Sequence, residues 1–594
     1  MKNYDTNYIF LRRIGQVAGL GALDGNDGRV LEYGPMTTEE IERRARAVTA
    51  EERPVPQRAL SGIGNFFALY GGEHIAATEF VIGALLVTWG AGARMTFLGL
   101  ILGNILATFT FALLTAPIAV DTRLSLYAYL RKAAGPYFQK VYNALWGVTS
   151  VAWAATMVCI SASALRECFG FPIQTHWYPT SVGLVVATLV LGAVVTVVSS
   201  CGFRSVARFS ALCAPWMVVI FFCGAMASLP QLYAATGCEH ISGLGSFLDL
   251  ADKYIFGGNL PPGEKPLTVW HVAGFAWMCN LVYHGGLNDM SLFRFAKRKE
   301  YGYVAAVGMF IGHFFAWAAA GFMGATAAIL LKTPITGLDS GAVTWKILGA
   351  AGLLAVVAAG WTTANPNIYR ASLALGPLFP KLKAGALSAV IGTVMTVLAC
   401  FPCAKNIDAL VSTVGLIVPA IGAICLTEHW ILPKFGGKRF WCAMSGAKLN
   451  LPALGAWLVS IAVAALVIRS GAVHRYFICL PAYFAAAVSY LVLALCFGAR
   501  RDYGVGEADF RAVERRIAEL AEAEAGEGNP DRRVSTPLVK LLRGASFLVL
   551  GAIVALSFAA YASVLSVDSF KALAIGLSVG YFAVAGLASY LARR

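Results

Sequence analysis

Residues 65–86 read NFFALYGGEHIAATEFVIGALL, an apolar stretch that is interrupted at its middle by Gly71, Gly72, Glu73 and His74. About 20 apolar residues are needed to cross the hydrocarbon core of a bilayer, and this stretch meets that length. Because glycine and charged side chains disfavour a continuous membrane helix, we expect the helix to break here. Transporters place solute and ion sites at such breaks, near the middle of the membrane. The stretch therefore predicts a broken membrane helix with a binding site.

A second interrupted stretch has the same character. It contains Asn280 and then YHGGLND at 283–289, again with an aromatic residue, a Gly-Gly pair, an acid and a histidine. Counting the first interrupted stretch itself, five apolar stretches precede the second one. An inverted repeat of five plus five helices requires this spacing. We therefore expect two structurally related halves that contribute one break each.

Composition extends the membrane assignment to most of the chain. Hydrophobic residues make up 58% of the 594 and charged residues 13%, about half of the roughly 25% of a soluble domain. The fold class expected is an all-α polytopic membrane protein with about 14 transmembrane helices. The expected spans are roughly 61–90, 96–120, 140–165, 181–200, 208–229, 268–286, 303–331, 343–373, 384–402, 408–431, 451–468, 477–498, 545–566 and 571–591.

The net charge of +15 has a topological cause and does not indicate nucleic-acid binding. Lys and Arg concentrate in alternate loops, which is the pattern of loops that stay in the cytoplasm. The sequence predicts a multi-pass protein of the cell (inner) membrane with both termini in the cytoplasm, and the first span serves as an uncleaved signal. The basic loops lie near 123–140, 204–208, 294–299, 381–383, 434–448 and 500–516.

The same reading divides the chain into five regions. One of them is a linker at 501–543, in which apolar residues recur at helical spacing, namely Phe510, Val513, Ile517 and Leu520. This spacing predicts an amphipathic helix. This helix either lies on the membrane surface or against the cytoplasmic loops, or it belongs to a regulatory domain. The regions are a cytoplasmic tail (1–57, partly disordered), a ten-helix core (58–430, with repeats at about 58–229 and 268–431), helices 11 and 12 (449–500), a cytoplasmic linker (501–543) and two extra helices (544–594).

Ionisable residues inside spans are candidates for function, because an Asp at a helix centre costs roughly 2.5–3.5 kcal/mol on insertion scales. Glu73 and His74 are expected to bind a coupling cation, a proton or a hydrogen-bond-donating solute. Glu79 either shares that role or pairs with a neighbouring helix, and Asp289 either contributes to the site or pairs with Arg294. The remaining ionisable residues near spans are expected at the membrane surface, namely His313, Lys346, Glu428 and His429.

The eighth span contains AGWTTANPN at 359–367. The hydroxyls of Thr362 and Thr363 offer hard oxygen ligands for a small cation, and they alternatively bond back to the preceding turn of their own helix. Asn365 and Asn367 can each donate and accept a hydrogen bond, which suits a planar amide-like solute. Trp153 and Trp277 either stack on such a solute or serve in packing.

Six segments in order resemble the nucleobase–cation symporters, the group of cytosine permease and the hydantoin and allantoin transporters. The resemblance covers about 58–500, and its closest match is the Thr-Thr-Asn segment of the eighth span. The segments are NFFALYGGEHIAATEFVIGALL (65–86), ILGNIL (101–106), RKAAG (131–135), GVTSVAW (147–153), LFRFAK (292–297) and GWTTANPNIYRASLAL (360–375).

The resemblance implies a LeuT-type fold of two inverted five-helix repeats with additional C-terminal helices. It implies that Trp153 and Trp277 sandwich the solute and that Asn365 or Asn367 hydrogen-bonds it. It further implies a sodium site, with no other cofactor. The ligands would be the Thr362 and Thr363 hydroxyls, the Ala359 carbonyl and the carbonyls near Gly72 and Glu73.

Three departures fall on these sites. Glu73 and His74 replace small or amide residues of the family, Met157 replaces a polar residue, and YHGGLNDMSLFR replaces a shorter Pro-Asp segment. The last two spans also exceed the family's usual twelve. These changes leave sodium and proton coupling both open, and also a cationic solute in place of a nucleobase.

The function expected is therefore secondary active, cation-coupled symport of a small polar, nucleobase-like solute into the cytoplasm by alternating access. The alternatives are a proton-coupled transporter of an amine-like solute or vitamin, a channel, or a non-transporting receptor. An enzyme is not expected, because the chain lacks the metal-ligand, nucleophile and phosphate-binding motifs. The sequence fixes neither the oligomeric state nor whether Cys168 and Cys238 form a disulfide.

Overall fold

The computed structural model describes residues 35–592 except 202, 259, 261–262, 404–406 and 526–535. In this part of the chain the regular structure is helical, and one isolated bridge joins Ser61 to Ala296. Ten of the described helices are long and apolar enough to cross a membrane. The expected all-α polytopic class is confirmed. The expected end of the linker helix at 526–530 and most of the tail, residues 1–34, lie outside the described residues.

Eight helices make up the first half of the molecule. One of the expected membrane spans is divided between two of them, because the chain leaves helical geometry after Glu73. In chain order they are α1 (Thr38–Arg46), α2 (Ile63–Glu73), α3 (Thr78–Val87), α4 (Ala93–Thr122), α5 (Leu126–Ala133), α6 (Pro136–Phe169), α7 (Val182–Ser200) and α8 (Phe203–Thr236).

Twelve helices of more than one turn follow in the described rest of the chain, besides the one-turn helices Met290–Phe293 and Trp441–Met444. They begin with a short helix on the loop that joins the two halves, and they end with the two helices beyond the linker. They are α9 (Leu244–Ala251), α10 (Val269–Leu281), α11 (Lys299–Leu331), α12 (Ser340–Leu348), α13 (Ala350–Leu375), α14 (Ala384–Ala399), α15 (Ala409–Phe435), α16 (Leu451–Ser470), α17 (Arg475–Phe497), α18 (Val505–Glu524), α19 (Pro537–Tyr561) and α20 (Val567–Leu591).

Two expected spans differ from the helices observed. The span expected at 343–373 is not continuous, because Gly349 adopts a φ of +62° between α12 and α13, a conformation that favours glycine. The span expected at 545–566 is α19, which begins earlier, at Pro537, after the Thr536 side chain caps its first turn. Lys540 and Arg543 interrupt the apolar pattern there, so hydropathy alone placed the start too late.

The helices of the two halves interlock around the broken segments. α13 packs along α6, α4 packs along α10, and α7 packs along α14. The broken α2 contacts α8, α11 and α13. Glu73, the one charged residue of α2, consequently faces the interior of the protein and not the lipid.

The last two helices pack on the ten-helix core. Trp216 of α8 is fully buried and donates its indole N–H to the Ser578 hydroxyl of α20 at 2.9 Å. Tyr581 of α20 donates to the Leu212 carbonyl of α8, also at 2.9 Å. Cys168 and Cys238, whose pairing the sequence left open, are both free thiols.

Helix α18 lies against the tail and the neighbouring loops. Arg516 of α18 forms an ion pair of 2.5 Å with Glu42 of α1, and Glu514 pairs with Lys132 of α5. Phe510 packs on Phe440, with ring centroids 6.1 Å apart. The linker helix thus joins the tail to the loops on one side of the molecule, which we term the tail side.

We expect charge reversal at Arg516 to detach α1 from α18. The Arg516 guanidinium, with help from Arg46, lowers the pKa of Glu42 from 4.5 to about 2. The pair therefore contributes stability above about pH 4.5 and loses it as the pH falls toward 2. At neutral pH, Arg516→Glu should speed amide hydrogen exchange of residues 38–46, because α1 loses its ion pair with α18 and opens more often.

The double variant Glu42→Arg with Arg516→Glu restores opposite charges and should return the exchange toward the wild-type rate. Lys571→Glu, which changes an exposed pair on α20, is the matched control and should leave residues 38–46 unaffected. Equal exchange in Arg516→Glu and wild type would show that this pair does not hold α1.

Candidate functional site

Two breaks in helical geometry define the centre of the molecule. Helix α2 ends at Glu73, and α3 begins at Thr78. Helix α10 ends at Leu281, and Leu287 in the following segment is held in the left-handed region at φ +61° while fully buried. A leucine rarely adopts this conformation, which costs about 1–3 kcal/mol and is concentrated at functional sites. The second break is therefore built into the fold.

Arg370 of α13 connects the two breaks. Its Nη1 donates to Oε1 of Glu73, and its Nη2 donates to Oδ1 of Asp289 at 2.8 Å. The Arg370 side chain is fully buried, and its guanidinium lies 4.8 Å from the centre of the Tyr283 ring. One cation thus ties α2, α13 and the segment after α10 together.

Sequence reasoning overlooked Arg370 and misjudged the partner of Asp289. Arg294, the partner considered for Asp289, instead donates to the Glu51 carbonyl at 2.7 Å. A signal for Arg370 was present, because it is the one Lys or Arg between residues 351 and 375. It lies seven residues after Thr363, two helical turns along the same face of α13.

The charges in this cluster do not balance with ordinary ionisation states. Glu73 and Asp289 bring two negative charges and Arg370 brings one positive charge. Among the described residues, Oε2 of Glu73 has no hydrogen-bond partner, although it is buried. A buried charge without compensation is unfavourable. The cluster is therefore suited to receive a proton, a cation or a donor group of a solute.

Glu79 and His313 form a second polar group beside the first break. Glu79 accepts a hydrogen bond from the Trp317 indole of α11, and its Oε1 lies 3.8 Å from Nε2 of His313. Of the two alternatives for Glu79, the structure shows the pairing with a neighbouring helix. Asn280 also donates a hydrogen bond from its amide nitrogen to Nδ1 of His313 at 2.9 Å.

His313 was expected at the membrane surface, but it lies in the interior. Residues 308–316 of α11 wind as a π-helix, and such wide turns displace side chains from the positions that regular helical spacing gives. His74 packs into this segment, with its ring 5.1 Å from that of His313 and its Nδ1 2.9 Å from the Tyr70 carbonyl. A side chain at Gly312 would collide with His74. Glu428, also expected at the surface, is fully buried and accepts from Tyr490 at 2.7 Å.

Oxygen atoms from α2 and α13 meet at the first break. The Thr363 hydroxyl lies 3.1 Å from the Ala359 carbonyl and 3.2 Å from the Glu73 carbonyl. The Thr362 hydroxyl lies 3.0 Å from the same Ala359 carbonyl. Of the sodium ligands that the resemblance implied, the structure thus brings together the Thr363 hydroxyl and the Ala359 carbonyl of α13 with the Glu73 carbonyl of α2.

Gly72 lies at the edge of this oxygen group, against α8. A β-carbon at Gly72 would stand 2.9 Å from that of Ser210, which is closer than real side chains approach. The Ser210 hydroxyl is buried and has no partner among the described residues. Neutral oxygen donors and an unsatisfied hydroxyl suit a hard cation such as sodium. The described residues hold no group of three or more His, Cys, Asp or Glu arranged as a metal site.

The two asparagines of α13 have different surroundings. Asn365 is fully buried, and its amide lies 2.7 Å from the Ser199 hydroxyl of α7. Asn367 donates to the Thr363 carbonyl at 2.9 Å and accepts from the Tyr283 hydroxyl at 3.2 Å. Asn367 therefore reaches the segment of the second break, whereas Asn365 joins α13 to α7.

Trp153 and Trp277 are both half-buried and pack against the same hydrophobic cluster. The Trp277 indole donates to the Thr110 hydroxyl of α4 at 2.9 Å. The indole N–H of Trp153 is buried and has no partner among the described residues. Trp153 thus retains a hydrogen-bond donor that Trp277 has already used.

Comparison with solved structures decides the fold. Mhp1, a nucleobase-cation-symport-1 family transporter in a closed conformation with bromovinylhydantoin bound, aligns with a TM-score of 0.57 at 15% identity, over 80% of this chain and 99% of that one. Mhp1 in an inward-facing conformation aligns with a TM-score of 0.53 at 14% identity, over 85% and 99%. The chain has the LeuT-type fold.

A third structure, the substrate-bound outward-open state of a Na⁺-coupled sialic acid symporter, aligns with a TM-score of 0.55 at 12% identity, over 78% of this chain and 96% of that one. No protein-family model and no curated protein sequence matches the chain. At these identities the likeness is one of fold, and the inverted five-plus-five repeat expected from the sequence is part of it.

We expect Arg370 to be required for stability because of the charges it separates. Arg370→Leu leaves Glu73 and Asp289 buried without their cation, which should cost about 3–5 kcal/mol. The triple variant Glu73→Gln, Arg370→Leu and Asp289→Asn removes all three charges and should recover most of this loss. The unfolding temperature of the purified protein in detergent measures both effects.

Arg94→Leu is the matched control, because Arg94 pairs with Asp249 at an exposed site. Its substitution should lower the free energy of unfolding by less than ~1 kcal/mol. An Arg370→Leu protein as stable as Arg94→Leu would contradict the role given to the buried cluster.

Proposed function

We propose that the protein is a secondary active transporter that couples the inward movement of a small polar solute to a cation. The observation that carries the proposal is the position of the Thr363 hydroxyl, within 3.2 Å of carbonyl oxygens on two different helices. Broken helices that direct backbone carbonyls at a cation are the means by which transporters of this architecture bind coupling ions. The site thereby depends on how α2 stands against α13.

Sodium is the coupling ion that these donors favour. The residues that would hold it are Ala359, Thr362, Thr363, Glu73 through its carbonyl, and Gly72. When bound, the ion would supply a positive charge that attracts oxygen atoms of both helices. The protein's own part is to keep these oxygens together and away from bulk water, since Thr362 is fully buried and Thr363 nearly so.

The solute site proposed lies between the two breaks, bordered by Trp153, Trp277 and Asn367. The unused indole N–H of Trp153 and the amide of Asn367 offer hydrogen bonds, and aromatic faces accept flat rings. These features favour a planar, nitrogen-containing solute of the nucleobase type. The hydantoin bound in Mhp1 is of that chemical kind, which supports the same class for this chain.

A second candidate solute is a cationic or amine-like one. The observation that favours it is the buried Oε2 of Glu73, which has no partner among the described residues. A solute with an ammonium or amidine group would supply the missing donor and balance the charge of the cluster. Protons would then be an alternative coupling ion.

The positions of the basic loops support an orientation in the cell (inner) membrane with the tail side in the cytoplasm. Alternating access would then require contacts between α2 and α13, including that of Arg370 with Glu73, to part when the solute is released inward. The partners proposed for the protein are a small-molecule solute, a coupling cation and the lipid bilayer, and the proposal includes no enzymatic step.

We expect Thr363→Ala to weaken sodium binding by about tenfold or more, because a hydrogen-bonding or ligating oxygen to a charge is worth about 1.5–3 kcal/mol. The measurement is the rise in unfolding temperature as sodium replaces choline at constant ionic strength. Thr188→Ala is the matched control, because the Thr188 hydroxyl bonds only within α7, to Leu184 at 2.8 Å. Equal sodium dependence in Thr363→Ala and wild type would remove Thr363 from the site.

The solute class is tested by the same thermal assay against nucleobases, hydantoins, vitamins and small amines, each with and without sodium. A native-state ligand must raise the unfolding temperature. We expect a planar heterocycle to stabilise the protein more strongly when sodium is present. Stabilisation by amines alone, lost in Glu73→Gln, would favour the cationic solute instead.

A further inference from the structure

His284 lies in the segment of the second break, and one of its two ring nitrogens, Nδ1, already makes a hydrogen bond. Its Nδ1 lies 2.9 Å from the Ala107 carbonyl of α4, and a carbonyl oxygen can only accept a hydrogen bond. The proton of a neutral His284 ring must therefore be on Nδ1. The other nitrogen, Nε2, is left with a lone pair, and it is buried without a hydrogen-bond partner among the described residues.

The group that faces this lone pair is a carboxyl oxygen. Oδ2 of Asp289 lies 3.7 Å from Nε2 of His284, with His284 fully buried and Asp289 2% exposed. The other oxygen of Asp289, Oδ1, accepts the hydrogen bond of Arg370. An imidazole lone pair and an ionised carboxylate are both acceptors, so their direct apposition away from water is unfavourable.

We propose that His284 and Asp289 together form a proton-binding site, with one proton held on Oδ2 of Asp289 and donated to Nε2 of His284. The proton converts two opposed acceptors into one hydrogen bond, whose usual length of about 2.6–2.9 Å a small side-chain rotation can reach. It also removes the excess negative charge of the cluster, because Glu73 then balances Arg370.

The placement of the proton on Asp289 follows from the surroundings of the pair. A neutral acid beside a neutral imidazole leaves two buried charges in the cluster, whereas an ionised Asp289 beside an imidazolium leaves four. The titratable and charged groups that face the pair are Arg370 of α13, Tyr70 and Glu73 of α2, His74 directly after α2, Tyr283 of its own segment and His313 of α11.

The site gives the contact between α13 and the second break a dependence on protonation. With the proton bound, Arg370 is held by the charge of Glu73 and by a neutral Asp289. When the proton leaves, Asp289 becomes a full ionic partner of Arg370, and the cluster regains its excess negative charge. Proton binding at this pair is therefore linked to the charge that the two breaks present to a solute or a second cation.

This inference stands on the contacts of His284 and Asp289, and it requires neither the solute nor the sodium site proposed above. Its test uses infrared spectroscopy of the whole protein, reconstituted in lipid and free of solute, with carbon-13 in the side-chain carboxyls of aspartate. The carbonyl stretch of a neutral acid is separate from that of a carboxylate, and the label identifies it as aspartic acid.

At neutral pH we expect one label-sensitive band of a neutral aspartic acid per protein. Asp289→Asn should abolish the band, and His284→Phe should shift it to the higher frequency of an acid without an acceptor. Glu428→Gln is the matched control, because it alters another buried carboxyl and should leave the aspartic acid band in place.

The unlabelled and labelled wild-type proteins give a result even if the variants fail to fold. Absence of a neutral aspartic acid band at neutral pH in the wild type would overturn the proposal, and so would a band that persists in Asp289→Asn. Failure of the thermal assays with sodium and solutes would leave this spectrum unchanged, so the two proposals fail separately.

Discussion

The structure depends on one buried cation. Arg370 has no access to solvent, and its side chain is stable there because Glu73 and Asp289 approach it from the two broken segments. The three residues come from parts of the chain that are far apart in sequence, so their ion pairs fix how α2, α13 and the segment after α10 stand relative to one another. The strained backbone at Leu287 has the same consequence, since it carries Asp289 to Arg370. The ion pairs of Arg370 thus fix the positions of the two broken segments.

The oxygen group at Thr363 lies on the same two helices as the ion pair between Arg370 and Glu73. A change in the separation of α2 and α13 must therefore alter the carbonyl-to-hydroxyl distances and the buried ion pair together. This common dependence gives the proposed coupling a physical basis, because the proposed cation, proton and solute would all act on one arrangement of helices. The unbalanced charge of the cluster makes that arrangement sensitive to what is bound.

The sequence predicted the all-α membrane class and both breaks, because long apolar runs and Gly-Gly pairs are local signals. Where the sequence predicted about 14 membrane helices, ten of the described helices are long and apolar enough to cross a membrane. It also predicted Thr362 and Thr363 as cation ligands, which stays a prediction. The structure places the Thr363 hydroxyl 3.2 Å from the Glu73 carbonyl, whereas the Thr362 hydroxyl bonds to the Ala359 carbonyl of its own helix. The pairing of side chains could not be predicted, since it depends on how distant helices pack. Arg370 was missed for that reason, and His313 was placed at the surface because the π-helix in α11 breaks regular spacing.

The central claim is that this arrangement drives concentrative transport, and uptake into proteoliposomes tests it most directly. The solute that stabilises the purified protein would be supplied outside vesicles with an imposed inward sodium gradient, and in parallel with an inward proton gradient or none. The account predicts accumulation above the external concentration with a cation gradient and collapse when an ionophore dissipates it. Uptake that stops at the external concentration under every gradient would contradict a coupled symporter and indicate a passive pathway.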